Sequence, residues 1–150
     1  MNYEAERGYL IVAGSDQEVN YISCAETLAK SLRYWHPDVK ICLLTDIDYD
    51  NTLFDFVKQF PYGNTGGWTT DWQVYDASPF HETIKLEADM IISGPVDHWW
   101  THFQKFPVWI STNCNDYHGN ISTNRTYRKL FDMNNLPDVY NAITYWRVSP

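Results

Sequence analysis

Two short apolar runs separated by one amphipathic segment constrain this chain more than any other feature of its sequence. The first run, Tyr-Leu-Ile-Val-Ala at 9–13, is followed by Gly-Ser-Asp, which is typical of a buried strand that ends in a turn. Apolar residues then recur at helical spacing over 19–35, and His-Pro at 36–37 ends that pattern. A second apolar run follows at 40–45. This β-α-β order predicts a right-handed crossover between two parallel strands.

The positions directly after these two predicted strands are candidate binding residues. Ligands of open α/β sheets bind beyond the carboxyl ends of the strands. That rule selects Gly14, Ser15 and Asp16 after the first strand and Asp46 after the second. Each also has an ordinary structural explanation, because Gly-Ser-Asp is common in turns and an aspartate often caps the following helix.

Residues 83–92 combine a strand-like apolar pattern with two carboxylates, Glu87 and Asp89. Side chains two residues apart on an ideal strand share a face, so both carboxylates would meet at one edge of the sheet. Close like charges favour a cation between them, and Mg²⁺ is commonly held by one or two carboxylates. Lys85 shares that face by regular alternation and is a candidate partner for a phosphate or for the acid pair. The alternative is a strand end whose two acids face water.

The rest of the chain predicts further short elements. They are a short helix within 50–60, a helical segment near 72–80, a helix from Asp97 to Lys105, a strand at 108–111, a helix at about 126–133 and a strand at 140–148 in the interior of the sheet. His98 and His102 have the i, i+4 spacing that some zinc sites use. No third ligand is evident, and a surface helix explains the pair without a metal.

Composition and charge exclude several classes of protein. The formal net charge of −8 argues against a nucleic-acid binder, because such proteins draw much of their affinity from Lys and Arg. No apolar segment approaches the roughly 20 residues that span a bilayer, and the N-terminus lacks a signal-peptide pattern. The three cysteines Cys24, Cys42 and Cys114 fit neither a disulfide framework nor a zinc site. The sequence therefore predicts one cytoplasmic domain over 1–150 with free, buried thiols.

Several of these motifs follow one another in an order that resembles a known group of enzymes. They are Ala13-Gly14-Ser15-Asp16 ahead of Tyr21, Thr45-Asp46, Ser78-Pro79-Phe80 before Glu87-Ala88-Asp89, and Asn141-Ala142 before a Tyr-Trp pair. Together they resemble the GT-A nucleotide-sugar glycosyltransferases, particularly the family that contains glycogenin and the bacterial galactosyltransferases. The resemblance covers nearly the whole chain. It implies an α/β protein with the three-layer α/β/α, Rossmann-like GT-A fold and a mostly parallel mixed sheet.

The resemblance also implies a metal site. In such enzymes an Asp-x-Asp motif binds Mn²⁺ or Mg²⁺, and the metal holds the diphosphate of the sugar nucleotide. Here the motif would be Glu87-Ala88-Asp89, with Glu in the first position. Asp89 would be a metal ligand, and Glu87 would reach the metal, directly or through water, or a ribose hydroxyl.

A donor pocket and an activity are implied in the same way. The turn from Ala13 to Asp16 and Tyr21 would form the pocket for the nucleotide base, with Tyr21 as a stacking surface and Asp46 nearby. The reaction would be transfer of a hexose from a nucleotide-diphosphate sugar, with UDP-sugars favoured, to an acceptor hydroxyl. Enzymes of this family typically extend well beyond 150 residues, so the resemblance implies that a C-terminal portion is missing from this chain.

Two other functions remain open from the sequence. A non-catalytic nucleotide-sugar or carbohydrate-binding domain would tolerate an incomplete metal shell. A nucleotidyltransferase on a related α/β fold is disfavoured, because the early part of the chain lacks a Gly-rich phosphate loop that carries Lys or Arg.

Overall fold

A computed structural model of the chain contains one mixed sheet with helices packed on both of its faces. It describes residues 3–16, 18–50, 52–64, 71–112, 114–115, 118–120, 133–136 and 139–148. In chain order, the elements of this described part are β1 Ala5–Val12, α1 Tyr21–Trp35, β2 Ile41–Thr45, β3 Phe56–Gln59, α2 Val74–Ala77, β4 Phe80–Glu87, α3 His98–Phe103, β5 Val108–Thr112 and β6 Val139–Arg147.

The strands lie side by side in the order β3-β2-β1-β4-β6-β5. The first four strands of the chain are parallel to one another, whereas β6 runs antiparallel to both of its neighbours, β4 and β5. The expected α/β fold with a mostly parallel mixed sheet is thereby confirmed. The strand predicted at 140–148 is β6, and it lies in the interior of the sheet as expected.

The predicted β-α-β unit forms the centre of the sheet. α1 begins after Asn20, whose side chain caps the helix by accepting a hydrogen bond from the Ser23 backbone N–H at 3.0 Å. One face of α1 is buried against alternate side chains of the strands, through Ala25, Leu28, Ala29 and Leu32 on the helix and Tyr9, Ile11, Ile41 and Leu43 on the sheet. Leu28 and Leu32 are fully buried, and each contributes about 2 kcal/mol of hydrophobic stabilisation.

The opposite face of the sheet carries a smaller apolar cluster under α2. It contains Leu10, Cys42, Leu44, Phe60, Val74, Ala77, Phe80 and Trp146. The ring of Phe80 lies directly over Gly8, where a Cβ atom would come within 2.4 to 2.7 Å of three ring carbons. Gly8 is therefore required by the close approach of this ring.

The prediction of a helix within 50–60 is wrong, because this segment contains the edge strand β3. The backbone N–H of Asp55 donates to the carbonyl oxygen of Ile41 at 2.9 Å. The Asp55 carboxylate in turn accepts hydrogen bonds from Arg33 at 2.7 Å, Lys40 at 2.9 Å and the Ile41 N–H at 2.9 Å. These bonds hold the following residues alongside β2, and the tertiary contacts override the local helical spacing.

The strand predicted over 83–92 begins earlier and ends earlier than expected. β4 ends at Glu87, and Ala88 and Asp89 form a turn. Beyond the turn, the Ile92 N–H donates to Ser31 Oγ of α1 at 3.0 Å, and the Ile92 side chain is buried in the core. The expectation that Glu87 and Asp89 lie on one face of one strand is therefore wrong, since Asp89 lies past the strand end.

The N-terminus of α3 is held by a contact with His36 at the end of α1 and not by a side-chain cap. Asp97 precedes the helix but makes no side-chain capping bond. Its Oδ1 atom instead lies 3.2 Å from Nδ1 of His36, whose Nε2 accepts a hydrogen bond from the Val96 N–H at 2.9 Å. The buried imidazole of His36 thereby joins the end of α1 to the start of α3.

Other predictions have mixed outcomes. Cys24, Cys42 and Cys114 are free thiols, with Cys42 buried and the other two half-buried. The helix predicted at about 126–133 lies outside the described residues, apart from Met133. None of the helices in the described ranges has the length and apolarity that crossing a bilayer requires.

Candidate functional site at the strand ends

A cleft of about 400 Å³ opens at the carboxyl ends of β1 and β4. On one side of β1 the chain continues to β2 and β3. On the other side of β1 lies β4, which is followed in the sheet by β6 and β5. The strand order thus reverses between β1 and β4, and such a switch point is where open α/β sheets bind ligands. We call this the switch-point cleft; its described lining is Val12, Gly14, Ser15, Asp16, Tyr21, Phe60, Asn64, Asp71, Lys85, Glu87, Ala88, Asp89 and Tyr140.

Most residues that the sequence singled out lie in this lining. Gly14, Ser15, Asp16, Tyr21, Lys85, Glu87 and Asp89 are brought together there. Ala13 is buried in the core at 1% exposure, and Asp46 lies behind the turn; neither lines the cleft. The turn after β4 therefore does not separate Glu87 from Asp89, because both still border the same space.

Asp46 holds the turn that follows β1. Its carboxylate accepts hydrogen bonds from the Ser15 N–H at 2.7 Å, from the Ser15 hydroxyl, and from Asn64 Nδ2 at 2.8 Å. Burial disfavours the charged form, but these hydrogen bonds outweigh that effect and hold the pKa of Asp46 below its usual range. Asp46 is thus an ionised anchor that fixes Ser15 at the rim of the cleft.

Asp16 is turned toward the backbone that leads into α1. Its Oδ1 atom accepts hydrogen bonds from the N–H groups of Glu18 at 2.8 Å and Val19 at 3.0 Å. These two bonds lower the pKa of the Asp16 carboxyl. The side chain therefore adds a fixed negative charge to the outer part of the cleft.

Lys85 is a buried ammonium at the base of the cleft, with 1% of its side chain exposed. Its Nζ atom donates to the backbone carbonyl of Asn141 at 2.8 Å. It also lies 3.6 Å from Oδ2 of Asp71 and 3.7 Å from Oε1 of Glu87. Asn141 Nδ2 donates to the same Asp71 oxygen at 2.7 Å, so β4, β6 and the segment before α2 meet in one polar network.

The charges of the cleft are unbalanced. Its described lining contains four carboxylates, Asp16, Asp71, Glu87 and Asp89, against the single ammonium of Lys85. A phosphate-bearing ligand would be repelled by this surplus of negative charge unless a further cation entered with it. The lining is therefore better suited to a cation, or to an anion accompanied by one, than to an anion alone.

Glu87 and Asp89 fit the implied Mn²⁺ or Mg²⁺ by the chemistry of their donors. Both ions prefer oxygen ligands, and Mg²⁺ usually keeps waters and substrate phosphates beside one or two carboxylates. Within the described ranges, no third Asp, Glu, His or Cys groups closely with this pair; a close group of three is Glu6, His81 and Glu82, at the amino end of β4. His98 and His102 belong to no such described group.

Several lining residues were not predicted as site residues. Asp71 and Asn64 both lie in the connection between β3 and α2. Phe60 forms an apolar part of the lining, and Tyr140 comes from β6. No local pattern marks these residues, because each reaches the cleft through contacts with distant parts of the chain.

The fold and the cleft define an α/β protein with an acidic cleft at the switch point of a mixed sheet. The sequence matches no protein-family profile, and no curated protein matches it either. Its function must be argued from the chemistry of the site, since one fold of this kind serves many activities.

Proposed function

We propose that this chain is a GT-A-type glycosyltransferase domain that binds a nucleotide-diphosphate sugar together with Mn²⁺ or Mg²⁺ in the switch-point cleft. The observation that carries the proposal is the meeting of Glu87, Asp89 and Tyr21 in one cleft at the carboxyl ends of β1 and β4. Nucleotides bind at this position in open α/β sheets. The parallel strands β1 to β4 with an antiparallel β6 are compatible with a GT-A fold.

An aromatic ring would bind the base of the nucleotide, and a pair of acids would bind its diphosphate through the metal. Tyr21, half-buried at the first residue of α1, would offer its ring to the base. Ser15, held by Asp46, would border the same part of the pocket. Glu87 and Asp89 would hold the metal, with Lys85 keeping the Glu87 carboxylate oriented by its charge.

The chemistry of hexosyl transfer explains why positive charge is needed here. The bond between the sugar carbon and the diphosphate oxygen would break, a bond to the acceptor oxygen would form, and the proton of the acceptor hydroxyl would pass to the departing diphosphate or to water. Negative charge would develop on the departing diphosphate, and a divalent ion held by Glu87 and Asp89 would supply the charge that stabilises it. Lys85 adds a fixed positive charge of the protein at the base of the cleft.

Calorimetric binding of UDP, with and without Mn²⁺, tests this proposal. We expect UDP to bind the wild-type protein with Mn²⁺ and about tenfold or more weakly after chelation, because the acidic cleft repels an unaccompanied diphosphate. Asp89→Asn should have the same effect as chelation. Asp50→Asn is the matched control, since Asp50 is exposed and does not line the cleft.

Turnover is measured separately, as UDP release from a panel of UDP-sugars with Mn²⁺. UDP affinity that is equal with Mn²⁺, with chelator and in Asp89→Asn would exclude the proposed metal site. The absence of UDP binding under every condition would exclude the nucleotide-sugar function altogether.

A second candidate is a non-catalytic nucleotide-sugar or carbohydrate-binding domain. The observation that favours it is the contact between Lys85 and Glu87, because the ammonium already compensates one of the two proposed metal ligands. Tight nucleotide binding without release of UDP from any donor sugar would support this candidate over the transferase.

We also propose that the protein works in the cytoplasm. Cys24, Cys42 and Cys114 are free, and free thiols are usual in a reducing compartment. Recovery of the protein from its cells in the cytosolic fraction, with three thiols available to a labelling reagent after denaturation, would support this location.

A further inference from the structure

A second cleft, of about 460 Å³, opens near the amino end of β2. Its walls come from β1, from the connection between α1 and β2, and from α3, and the residues used below are Arg7, Trp35, Asp38, Lys40, Asp97 and Trp100. We call this the amino-edge cleft. Along β1, Tyr9 borders this cleft and Val12 borders the other, three residues or about 10 Å further along the strand, and the two described linings share no residue. The two clefts are therefore separate spaces.

Aromatic rings line much of the amino-edge cleft. Trp35, the last residue of α1, is 40% exposed, although Trp is usually well buried. Trp100 is buried from solvent beneath the Arg7 side chain, whose guanidinium carbon lies 5.2 Å from the centre of the indole ring. The cleft thus offers the accessible indole of Trp35 and a guanidinium that is held in place by its cation–π contact with Trp100.

The Arg7 guanidinium has unused hydrogen-bonding capacity. Within the described part of the chain, it makes no hydrogen bond or ion pair, so its donors remain available to a ligand. Lys40 is the other cation of the lining, and its Nζ atom also pairs with Asp55 at 2.9 Å. Asp38 and Asp97 supply acceptors, and Asp97 is oriented by His36 at 3.2 Å.

The charges of this cleft balance. Its described lining holds two cations, Arg7 and Lys40, and two anions, Asp38 and Asp97. A charged ligand would therefore be attracted by the two side chains of opposite charge and repelled by the two of like charge. Hydroxyl groups act both as donors and as acceptors, so they can satisfy both kinds of group at once. A neutral ligand with many hydroxyls and an apolar ring face fits this combination best.

We infer that the amino-edge cleft binds a neutral carbohydrate, with one sugar ring packed on Trp35 and its hydroxyls bound by Arg7 and by the carboxylates of Asp38 and Asp97. This site differs from the switch-point cleft, where four carboxylates face one ammonium. The inference does not depend on the transferase proposal, since it concerns other residues and another ligand.

Direct binding of neutral oligosaccharides tests this inference. The probes are maltohexaose, cellohexaose and a galacto-oligosaccharide, titrated into the wild-type protein and followed by tryptophan fluorescence and calorimetry. We expect at least one of them to bind with a dissociation constant in the millimolar range or below. Trp35→Ala should weaken that binding about fivefold or more, and Arg7→Gln about tenfold.

Two control variants separate this site from its surroundings. Trp72→Ala removes an indole that is 55% exposed and lines neither cleft, so binding should stay unchanged. Asp89→Asn should also leave oligosaccharide binding unchanged, whatever it does to UDP. Circular dichroism checks that each variant is folded. If Trp35→Ala does not fold, the comparison of Arg7→Gln with the wild type tests the inference.

Several results would overturn the inference. They are the absence of binding by every oligosaccharide, equal binding by the wild type and both cleft variants, loss of binding in Asp89→Asn, and tighter binding of inorganic phosphate or glycine than of any oligosaccharide. A failure of UDP to bind would leave this result untouched, so the two proposals can fail independently.

Discussion

The Nζ atom of Lys85 lies 3.7 Å from Oε1 of Glu87, so a cation of the protein lies within the carboxylate cluster of the switch-point cleft. The Lys85 side chain is 1% exposed, whereas those of Glu87 and Asp71 are each 34% exposed. The ammonium is therefore buried beneath two acids that still meet solvent. Its position makes Lys85 both a structural element and a competitor of any metal at Glu87.

Replacing Lys85 with methionine should destabilise the protein by about 2 kcal/mol. Removal of one partner from a buried ion pair costs about 3–5 kcal/mol, and the partial exposure of Asp71 and Glu87 reduces that cost. Urea unfolding at neutral pH measures the difference. Lys105→Met, on an exposed lysine after α3, should change the free energy of unfolding by less than about 0.5 kcal/mol. Equal effects of the two changes would show that the buried network contributes nothing.

The same Lys85→Met substitution should increase the affinity for Mn²⁺ severalfold. Without the ammonium, the carboxylates of Glu87 and Asp71 lose their compensating charge, so they attract a divalent ion more strongly. Titration of Mn²⁺ followed by the relaxation of water protons measures this affinity. Unchanged or weaker binding would place the metal away from Glu87.

Tyr21→Leu should weaken UDP binding about tenfold. Leucine keeps apolar contacts with the core beside α1 but removes the aromatic surface, and stacking of a base on such a ring is worth about 1–3 kcal/mol. Calorimetry with Mn²⁺ present measures the affinity. Tyr21→Phe, which retains the ring, should bind UDP as the wild type does. Equal affinity of the leucine and phenylalanine variants would exclude stacking.

Asp46→Asn should cost about 1–2 kcal/mol at neutral pH, and the cost should decrease in acid. The pKa of Asp46 is lower in the folded protein than its usual value, because hydrogen bonds from Ser15 and Asn64 overcome the effect of burial. The ionised carboxylate therefore stabilises the native state fully above the usual aspartate pKa of about 4. This contribution is lost as the pH falls through the lower pKa of the folded state.

Urea unfolding of wild type and Asp46→Asn across this pH range measures the dependence. The two free energies should differ by a constant amount between about pH 5 and pH 8 and converge below about pH 4. A difference that instead grows in acid would contradict the lowered pKa of Asp46.

Gly8→Ala should destabilise the protein by about 2 kcal/mol or more. The new methyl group would overlap the Phe80 ring, which is fully buried in the core. Gly94→Ala is the matched control, since a Cβ atom at Gly94 has no neighbour within 4 Å. Thermal unfolding of both variants measures the contrast, and similar midpoints would show that the Phe80 ring has room to shift.

Local periodicity accounts for the parts of the fold that the sequence predicted. The apolar spacing of α1 and the continuous buried runs of β1 and β2 arise from contacts within one β-α-β unit. The positions of Glu87 and Lys85 in the cleft follow from alternation along β4. These features depend on neighbours in the sequence, so a single sequence carries the signal.

The rest depends on pairs of residues that are far apart in the chain. β3 is held by Asp55, whose partners include Arg33 and Ile41, and no pattern within 50–60 records those contacts. Asp71 is oriented by Asn141, 70 residues away. The turn at Asp89 likewise depends on Ile92 reaching the core beside α1. Such contacts are visible only once the strands have been placed in order.

The position of β6 between β4 and β5 has a consequence for the order in which the sheet forms. β1 to β4 all lie within residues 5–87 and pair with one another, whereas β5 reaches them only through β6. Amide protons of β5 should therefore gain protection from hydrogen exchange no earlier than those of β6 during refolding. The parallel strands β1 to β4 can therefore pair first, and β5 and β6 would then dock on β4 as a unit. Docking of β6 would complete the lining of the switch-point cleft, because Tyr140 comes from β6.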